Sequence, residues 1–244
     1  SIDNYSTGLK QNKQSDVSYI HCDINDWYYH IKFDVVFHMA AIARIQPSFK
    51  EPEKYINTNF NGTYKIVKYC AKNNIPIIYA GSSSHHSGEE IIQLYQNHFK
   101  LKSTIARFYN VYGPYQLTEG GYTTLIGRWI NNISKSLPCE IYGDGEQRRD
   151  FTHVDDIVNA LILIMDKKAY GNVFELGRGK NISVNEVAKM FKITPNYKKP
   201  KPGEARNTLC ESKLAKEILD WHPKINLLDY IKNYNYENKF NTTK

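Results

Sequence analysis

The chain has 244 residues, of which 41% are hydrophobic and 23% charged, a composition typical of ordinary globular proteins. It is long enough to bury a large core, in one domain or in two closely packed ones. No window approaches the roughly 18 uninterrupted apolar residues of a membrane span. The four cysteines show no metal or redox spacing, so we expect free thiols, a cytoplasmic protein and no membrane partner.

The formal net charge of +7 comes from lysines spread along the chain, with the densest run at Lys198 to Lys201. No basic arm or helix stands out. We therefore predict a locally positive cleft for an anionic small molecule and no nucleic-acid partner. Nucleic-acid binding through overall charge is the alternative, and it predicts an affinity that collapses with salt.

Short apolar runs rich in Val, Ile, Tyr and Phe alternate with helical patterns in the first half of the chain. The predicted elements are buried parallel strands at 17–23, 34–41 and 75–84, a further strand at 103–110, and helices at 51–73 and 89–99. This alternation predicts a doubly wound α/β sheet, whose sites lie outside the carboxyl ends of the strands. The residues at those ends are Asp23, Ala40, Ala41, Ser82–Ser84 and Asn110.

From about residue 115 the sequence becomes irregular and aromatic, with shorter elements that predict a smaller mixed α/β lobe. We assign residues 1–114 to the sheet domain and 115–244 mainly to the lobe, with part of 150–177 returning to the first domain. Helices are predicted at 183–191, with Ser183 and Glu186 as a capping box, and at 211–221.

The stretch 141–158 combines an aromatic residue, a glycine turn and adjacent arginines. Tyr142 offers a flat face for a base, and Arg148 and Arg149 offer planar donor forks for a phosphate. The turn 143–145 contains two glycines, which tolerate the positive φ angles of a tight reversal. This combination predicts a site for a nucleotide diphosphate.

Two further local features bear on the fold. The stretch 141–158 leads into a helix through residues 157–165, for which Thr152 or Asp155 is the expected cap. His38 lies within an apolar strand and is expected to be a core histidine with a satisfied hydrogen bond. The adjacent His85 and His86 point in different directions without a third ligand, so we expect no metal site.

Nine short motifs extend the interpretation to nearly the whole chain. They are DNYSTG (3–8), CDIND (22–26), DVVFHMAA (34–41), NTNFNGT (57–63), YAGSSS (79–84), ARFYNVYGP (106–114), IYGDGEQRRDFTHVDD (141–156), ELGRGKNISVNEVA (175–188) and KPGEARN (201–207). Together they resemble the extended short-chain dehydrogenase/reductases, specifically the NAD-dependent epimerase/dehydratase group that acts on nucleotide sugars. The resemblance implies a Rossmann-like sheet domain that binds NAD and a lobe that binds the nucleotide sugar.

The resemblance implies cofactor contacts at the ends of the first strands. Asp3 would accept hydrogen bonds from the adenosine ribose and repel a 2′-phosphate, which favours NAD over NADP; a loop aspartate that caps a turn is the alternative. The other implied cofactor residues are Asn4, Asp23, Ile24, Ala40, Ala41 and Asn59. For Asn59 the alternative is a side-chain hydrogen bond to the backbone.

On the substrate side the resemblance implies contacts with a nucleoside diphosphate. The implied residues are Asn110, Thr124, Leu125, Tyr142, Arg149, Lys201 and Glu204. Tyr142 would face uracil and Arg149 the pyrophosphate, whereas Arg148 has a surface charge as its alternative role. Lys201 stands where the family often has arginine, so a point charge replaces a bidentate fork. Glu204 stands where aspartate is usual and could still hold the ribose.

For catalysis the resemblance implies a serine hydroxyl, with Ser82 first and Ser83 one position away. No acidic pair follows these serines, which disfavours a dehydratase. The leading hypothesis is a UDP-hexose 4-epimerase with a 4-keto intermediate. Other nucleotide-sugar enzymes (a decarboxylase, a GDP-sugar enzyme, less readily a dehydratase) and a non-catalytic binding protein are the alternatives. The resemblance also implies a homodimer through the helices near 53–73 and 89–99.

Two hallmarks of the family are absent from the 244 residues. No glycine-rich turn precedes Asp3, and only His85–Gly88 stand where the Tyr-x-x-x-Lys pair is expected. Deleting a central strand would expose apolar surface. We therefore expect both segments in the full-length protein, with a catalytically inactive protein as the alternative.

Overall fold

The computed structural model describes residues 1–27, 31–43, 48–82, 87–201 and 203–241. The chain divides into two compact units. Unit 1 comprises Ser1–Arg107 and Ile164–Phe174, and unit 2 comprises Phe108–Leu163 and Glu175–Lys244. Among the described residues, no helix is long and apolar enough to cross a membrane.

The strands of the first half form two sheets. The strands are β1 (Ile2–Asp3), β2 (Ile20–His21), β3 (Val36–His38), β4 (Ile77–Ser82) and β5 (Ser103–Phe108), with β10 (Val173–Leu176) from later in the chain. β1 and β2 pair in parallel, and the second sheet has the order β10-β5-β4-β3, in which β3 and β4 are parallel. The predicted α/β class is confirmed.

The outer strands differ from the prediction. We expected a buried strand at 17–23, but β2 has only two residues and Ile20 is 38% exposed. Within the described residues, β1 and β3 each pair on one side only. Phe37, within β3, is 39% exposed, and Met39, the residue after β3, is 42% exposed. The apolar pattern therefore located these strands correctly but not their burial, because burial depends on which strand lies alongside.

A helical stretch begins at the predicted place but is not one regular helix. It comprises α1 (Pro52–Tyr55), π-helical turns over Ile56–Gly62, and α2 (Thr63–Asn73). Proline suits the first turn of α1 because a first-turn amide has no intrahelical partner. α3 (Ser87–Phe99) follows β4. The core beneath these helices contains Val67, Cys70, Ile77, Ile92 and Ile105.

His38 is the satisfied core histidine that we predicted. Its ring is buried, and Nε2 lies 2.9 Å from the Thr63 hydroxyl oxygen. Burial lowers the pKa of His38 to about 4, because a charged imidazolium would lose its hydration. The ring is therefore neutral in the folded protein at neutral pH.

This burial makes stability depend on pH. The pKa of His38 is about 4 in the folded state and 6.5 when unperturbed, so below pH 6.5 the unfolded chain takes up the proton first. The free energy of unfolding should then fall by about 3 kcal/mol between pH 6.5 and 4. Urea unfolding at several pH values should show this slope in the wild type and not in His38→Gln. His222→Gln, at an exposed histidine, should retain it; equal slopes in wild type and His38→Gln would contradict the assignment.

Unit 2 is built from short strand pairs and helices around its own core. The strands are β6 (Val111–Tyr112), β7 (Glu140–Tyr142), β8 (Arg148–Asp150), β9 (Thr152–His153), β11 (Asn181–Ser183) and β12 (Asn196–Lys198). The helices are α4 (Leu125–Ser134), α5 (Val154–Asp166), α6 (Val184–Phe191), α7 (Lys213–Leu219) and α8 (Leu227–Asn241). β6 pairs with β9 and β7 with β12 in parallel, and β8 pairs with β11 antiparallel. The core includes Tyr112, Trp129, Ile141, Phe191 and Ile231.

The helix starts in unit 2 test two predictions. The capping box of α6 is confirmed: Ser183 Oγ accepts a hydrogen bond from Glu186 N at 3.1 Å, and Glu186 Oε2 accepts one from Ser183 N at 2.7 Å. The caps expected for α5 are wrong. The backbone N–H of Asp155 donates to His153 Nδ1 at 3.2 Å, whereas the buried hydroxyl of Thr152 has no hydrogen-bond partner among the described residues.

Candidate functional site

The first group of predicted residues lies in unit 1, at the ends of β1 and β2. Asp3 is the last residue of β1, and its Oδ1 accepts a hydrogen bond from Tyr5 N at 2.7 Å. Within the described chain, Oδ2 accepts none. A Cβ atom on Gly8 would lie 3.1 Å from Oδ2. The carboxylate therefore keeps one oxygen available beside a close-lying backbone.

Asp23 joins this group through hydrogen bonds. Its Oδ2 accepts from Asn4 Nδ2 at 2.8 Å, and its Oδ1 accepts from Asn25 N at 2.8 Å. The pKa of Asp23 is lowered, chiefly because the Asn25 amide stabilises the ionised form. Asp3, Asn4 and Asp23 thus form one acidic edge. Ile24 does not present its side chain there, since it is buried and faces Gly62.

Asn59 holds the segment that follows β3. Its Oδ1 accepts from Ile42 N at 2.8 Å and its Nδ2 donates to Ile42 O at 2.9 Å. This is the backbone-bonding role that we kept as the alternative. It fixes the chain beside Ala40, which is half-buried, and Ala41, which is exposed.

The serines predicted to be catalytic lie only in part within the described residues. Ser82 ends β4 and is half-buried, whereas Ser83 lies outside the described residues, as do Ser84, His85 and His86. Nearby, sequence reasoning missed a buried ion pair: Arg107 Nη2 lies 2.7 Å from Glu89 Oε2, at the start of α3. An arginine inside a buried strand was the signal, because a buried charge needs a partner.

The second group lies in unit 2, on the β7–β8 segment, in which the turn 143–145 joins β7 to β8 while β7 pairs with β12 and β8 with β11. Gly143 and Gly145 have φ angles of +84° and +78°, as the predicted turn requires. Arg148 is bound within the protein, by Glu186 at 3.0 Å and by Asn181 Oδ1 at 3.0 Å. The structure therefore favours its alternative, non-ligand role.

Arg149 differs from its neighbour. Its guanidinium is half-buried, and Nη1 donates a hydrogen bond to the Arg148 carbonyl oxygen at 2.9 Å. In the described part of the chain it forms no ion pair. Burial lowers the pKa of Arg149, an effect that the charge of Glu204 opposes. A half-buried cation without a carboxylate partner is unfavourable, so an anionic ligand would stabilise it.

Tyr142 has a cation on its ring. Lys201 Nζ lies 3.6 Å from the ring centroid, and the Tyr142 hydroxyl donates to Glu140 Oε2 at 2.9 Å. That hydrogen bond raises the pKa of Tyr142 most, and the charge of Glu204 adds to the effect. The structure thus brings together Tyr142, Arg149, Lys201 and Glu204, as an aromatic ring with charges around it.

Arg128 belongs to this neighbourhood and was missed. It follows the predicted residues Thr124 and Leu125 by one helical turn, and its positive charge lowers the pKa of Tyr142 against the larger effect of the Glu140 hydrogen bond. Its guanidinium has no ion pair or hydrogen bond among the residues described. Its side chain is half-buried, a second signal of an anion site that the sequence pattern did not carry.

The remaining predicted residues have roles within the fold. Thr124 caps α4, with Oγ1 accepting from Gly127 N at 3.2 Å and donating to Gln116 Oε1 at 3.0 Å. Leu125 packs against the core. Asn110 has a φ of +36°, and its Nδ2 donates to Asp150 O at 3.1 Å. Positive φ at a non-glycine residue is costly and often marks functional positions.

Asp150, the last residue of β8, fixes this strand to two other segments of the chain. Its side chain is fully buried and accepts hydrogen bonds from the backbone amides of Arg178 and Gly179, both at 2.9 Å, and of Cys210 at 3.2 Å. Burial raises the pKa of Asp150, and the amides offset part of this effect. The carboxylate ties β8 to the chain after β10 and to the segment before α7.

Comparison with known families identifies the family of the chain. The chain matches the model of the NAD dependent epimerase/dehydratase family over residues 1–87 and 83–177. The chain belongs to this family. The resemblance inferred from the motifs is therefore confirmed, and so is NAD as the cofactor that the family description names.

Relatives of this family member cover most of its length. It is 29% identical to a putative UDP-glucose 4-epimerase of Methanocaldococcus jannaschii, over 95% of this chain and 87% of the relative. It is 31% identical to a UDP-N-acetyl-alpha-D-glucosaminuronate decarboxylase of Bacillus cytotoxicus, over 64% of this chain and 57% of the relative. The crystal structure of a Thermotoga maritima UDP-glucose 4-epimerase with UDP-glucose superposes with a TM-score of 0.89 at 27% identity, covering 98% and 90% of the two chains. The predicted Rossmann-like fold is confirmed.

The residues of this epimerase/dehydratase family member fit the adenosine end of NAD. The available Oδ2 of Asp3 suits a ribose hydroxyl, and the fixed backbone beside Ala40 suits close approach of a ligand. The sequence has no Gly-x-Gly-x-x-Gly turn. Gly177–Gly179 does not replace it, because the amides of this segment bind Asp150. Asp3 and the chain beside Ala40 are thus the residues that would hold the adenosine end of NAD.

Proposed function

We propose that the chain is an NAD-dependent UDP-hexose 4-epimerase. The observation that carries the proposal is the half-buried guanidinium of Arg149, which forms no ion pair within the described chain. It lies on the same β7–β8 segment as the Tyr142 ring. An unpaired buried cation favours an anion, and an aromatic face favours a base. Both requirements are met by a nucleoside diphosphate, the carrier group of a UDP-sugar.

We assign the binding roles as follows. Arg149 and Lys201 bind the pyrophosphate, Tyr142 stacks with uracil, and Glu204 accepts from the ribose. On the cofactor side, Asp3 and Asp23 hold the adenosine of NAD. Asn4, Ala40 and Ala41 line the cofactor side, where Ile24 contributes its backbone and Asn59 holds the backbone of Ile42. On the substrate side Asn110, Thr124 and Leu125 act through the fold, by positioning the chain around the ligand.

NAD, when bound, supplies the hydride acceptor and donor for oxidation and reduction at the sugar C4. Ser82, with Ser83 beside it, positions the sugar hydroxyl by a hydrogen bond. The proton acceptor of the family is the tyrosine of Tyr-x-x-x-Lys, which is not in the 244 residues. No residue of this sequence is therefore assigned to the proton-transfer step.

Other reactions remain as competing proposals. A decarboxylase is the runner-up, because one relative carries that name at 31% identity. A GDP-sugar enzyme would use the same cation site with a different base. A dehydratase is disfavoured, because Ser83, Ser84, His85 and His86 supply no acidic pair after Ser82. A binding protein without catalysis would keep the unit 2 residues and lack the Tyr-x-x-x-Lys pair.

The test is incubation of the full-length protein with NAD and each of UDP-glucose, UDP-N-acetylglucosamine and their C4 epimers. We expect interconversion of at least one pair. Release of carbon dioxide from a UDP-uronic acid would favour the decarboxylase. Binding of UDP without conversion of any sugar would favour the binding protein, and absence of both binding and conversion would overturn the nucleotide-sugar proposal altogether.

We also propose a cytoplasmic homodimer that forms through the helical face of unit 1. Phe60 and Tyr64 on the π-helical turns and α2, and Leu94 and Phe99 on α3, are 40% to 58% exposed. Tyr95 stacks on Phe99 at 4.6 Å and meets Tyr64 edge-on at 6.3 Å, which makes the face continuous. An exposed apolar face of this kind is stabilised by a partner.

Leu94→Asp should convert this dimer to a monomer, because it would place a charge in the apolar contact. Sedimentation velocity should show the loss, with at least a hundredfold weaker association, about 3 kcal/mol. Leu137→Asp is the matched control, since Leu94 and Leu137 are both 51% exposed and Leu137 lies outside the face. A dimer that survives Leu94→Asp and dissociates with Leu137→Asp would assign the interface elsewhere.

A further inference from the structure

Lys198 and Arg206, which lie on either side of Lys201 in the sequence, are both bonded to the β7–β8 segment. At one end Lys198 pairs in register with Tyr142, where β12 lies parallel to β7. At the other end Arg148 N donates to Arg206 O at 2.9 Å, and Arg206 forms two hydrogen bonds with Asp144 at 2.7 and 2.9 Å. These contacts with β7 and with β8 hold Lys201 close to Tyr142.

Lys201 uses the Tyr142 ring as its partner. Its ammonium lies 3.6 Å from the ring centroid, within the range of a cation–π interaction. Among the described residues it has no carboxylate partner. Glu140, the acidic residue next to the ring, accepts from the Tyr142 hydroxyl at 2.9 Å and lies 3.6 Å from Lys198. One face of the Tyr142 ring is thus covered by a cation.

A base and an ammonium cannot occupy the same ring face. A ligand that stacks on the face of Tyr142 covered by Lys201 must displace this lysine, and the displaced ammonium then needs a new partner. A phosphate oxygen provides a stronger one than the ring, through a charge-assisted hydrogen bond. A nucleoside provides none. The arrangement consequently penalises ligands that carry a base without phosphates.

Resting on the proposed function, we infer that Lys201 is a specificity-determining residue that couples base stacking to phosphate binding. In the free protein it covers the Tyr142 ring. In the complex it leaves the ring for the diphosphate, while the base takes its place. The protein thereby selects nucleoside diphosphates, and the sugars attached to them, over nucleosides that have the same base.

The inference predicts effects of opposite sign from a single substitution. In Lys201→Met, uridine should bind about two- to fivefold more tightly, because the competing cation–π contact is gone. UDP should bind about tenfold more weakly, because a charge-assisted hydrogen bond is lost. Both affinities are measured by calorimetry on the full-length protein. Lys199→Met is the matched control, an exposed lysine two residues away, and it should change neither affinity.

A second measurement follows Lys201 directly. Protons held over an aromatic face resonate upfield, so NMR of reductively methylated protein should show one shifted lysine signal that Lys201→Met removes. Adding UDP should return that signal to the normal position. Uridine should do the same, but only at the higher concentration needed to occupy the site, because the displaced ammonium gains no phosphate partner. Tyr142→Leu should remove the shift without UDP.

The outcomes separate the inference from the proposed function. If the wild-type protein binds neither UDP nor uridine, the proposed nucleotide site is wrong and the inference fails with it. If UDP binds to the wild type but Lys201→Met weakens both ligands, Lys201 is an ordinary ligand residue and only the inference fails. Unchanged uridine affinity in Lys201→Met, or a lysine signal that UDP does not move, would likewise overturn it.

Discussion

Arg149→Met should weaken UDP binding by about a hundredfold, which corresponds to about 3 kcal/mol, and should not destabilise the protein. The half-buried guanidinium has a carbonyl as its hydrogen-bond acceptor and, within the described residues, no carboxylate. Removing it takes away the main attraction for the diphosphate. It also removes the unfavourable burial of an unpaired charge, so the free energy of unfolding should stay the same or rise slightly.

The neighbouring arginine supplies the control. Arg148 pairs with Glu186 at 3.0 Å and donates to Asn181 Oδ1 and O. Arg148→Met should therefore lower the free energy of unfolding by about 1 kcal/mol and leave UDP affinity within a few-fold of wild type. Calorimetry gives the UDP affinity of each variant, and urea unfolding gives its free energy of unfolding. Loss of binding in Arg148→Met together with retained binding in Arg149→Met would reverse our assignment.

Asp150→Ala should destabilise unit 2 by about 4 kcal/mol. The side chain is 0% exposed and accepts three backbone hydrogen bonds, from Arg178, Gly179 and Cys210. Alanine would leave these three amides without an acceptor in a site that water does not reach, and each such amide is costly. The substitution would also release the chain after β10 from β8.

Denaturant unfolding measures this loss of free energy of unfolding, and two further variants serve as comparisons. Asp150→Asn keeps the shape and one acceptor oxygen, so its loss should be smaller than that of alanine. Asp16→Ala removes an exposed aspartate and should change the free energy of unfolding by no more than about 0.5 kcal/mol. A loss below about 1 kcal/mol in Asp150→Ala would show that the amides find other acceptors.

The features that the sequence predicted well depend on neighbouring residues. The capping box at Ser183 and Glu186 spans three positions, and the glycines at 143 and 145 determine their own turn. Tyr142 and Arg149 lie seven residues apart on the β7–β8 segment. A local sequence motif was therefore enough to predict that they belong to the same site. Family motifs extended this to Lys201 and Glu204, which residue spacing alone would not have connected with Tyr142.

The features that were missed or wrong depend on residues far apart in the chain. The Asp150 carboxylate accepts hydrogen bonds from the backbone amides of Arg178 and Cys210, which lie near it only in the folded chain. Arg206 pairs with Asp144 across 62 positions. The start of α5 was wrong for a related reason: polar residues suited to capping were available, but β9 had already fixed Thr152 in an extended conformation, and His153 accepted the amide instead.

The open edges of β1 and β3 bear on what a further strand would contribute to stability. Within the described residues each of these strands has one neighbour, and Phe37 and Met39 are exposed beside β3. An unpaired edge is a template for another strand, and a strand paired with β3 would reduce the exposed apolar surface there. Pairing of this edge would also slow amide hydrogen exchange in β3, because its free backbone groups would then be hydrogen-bonded.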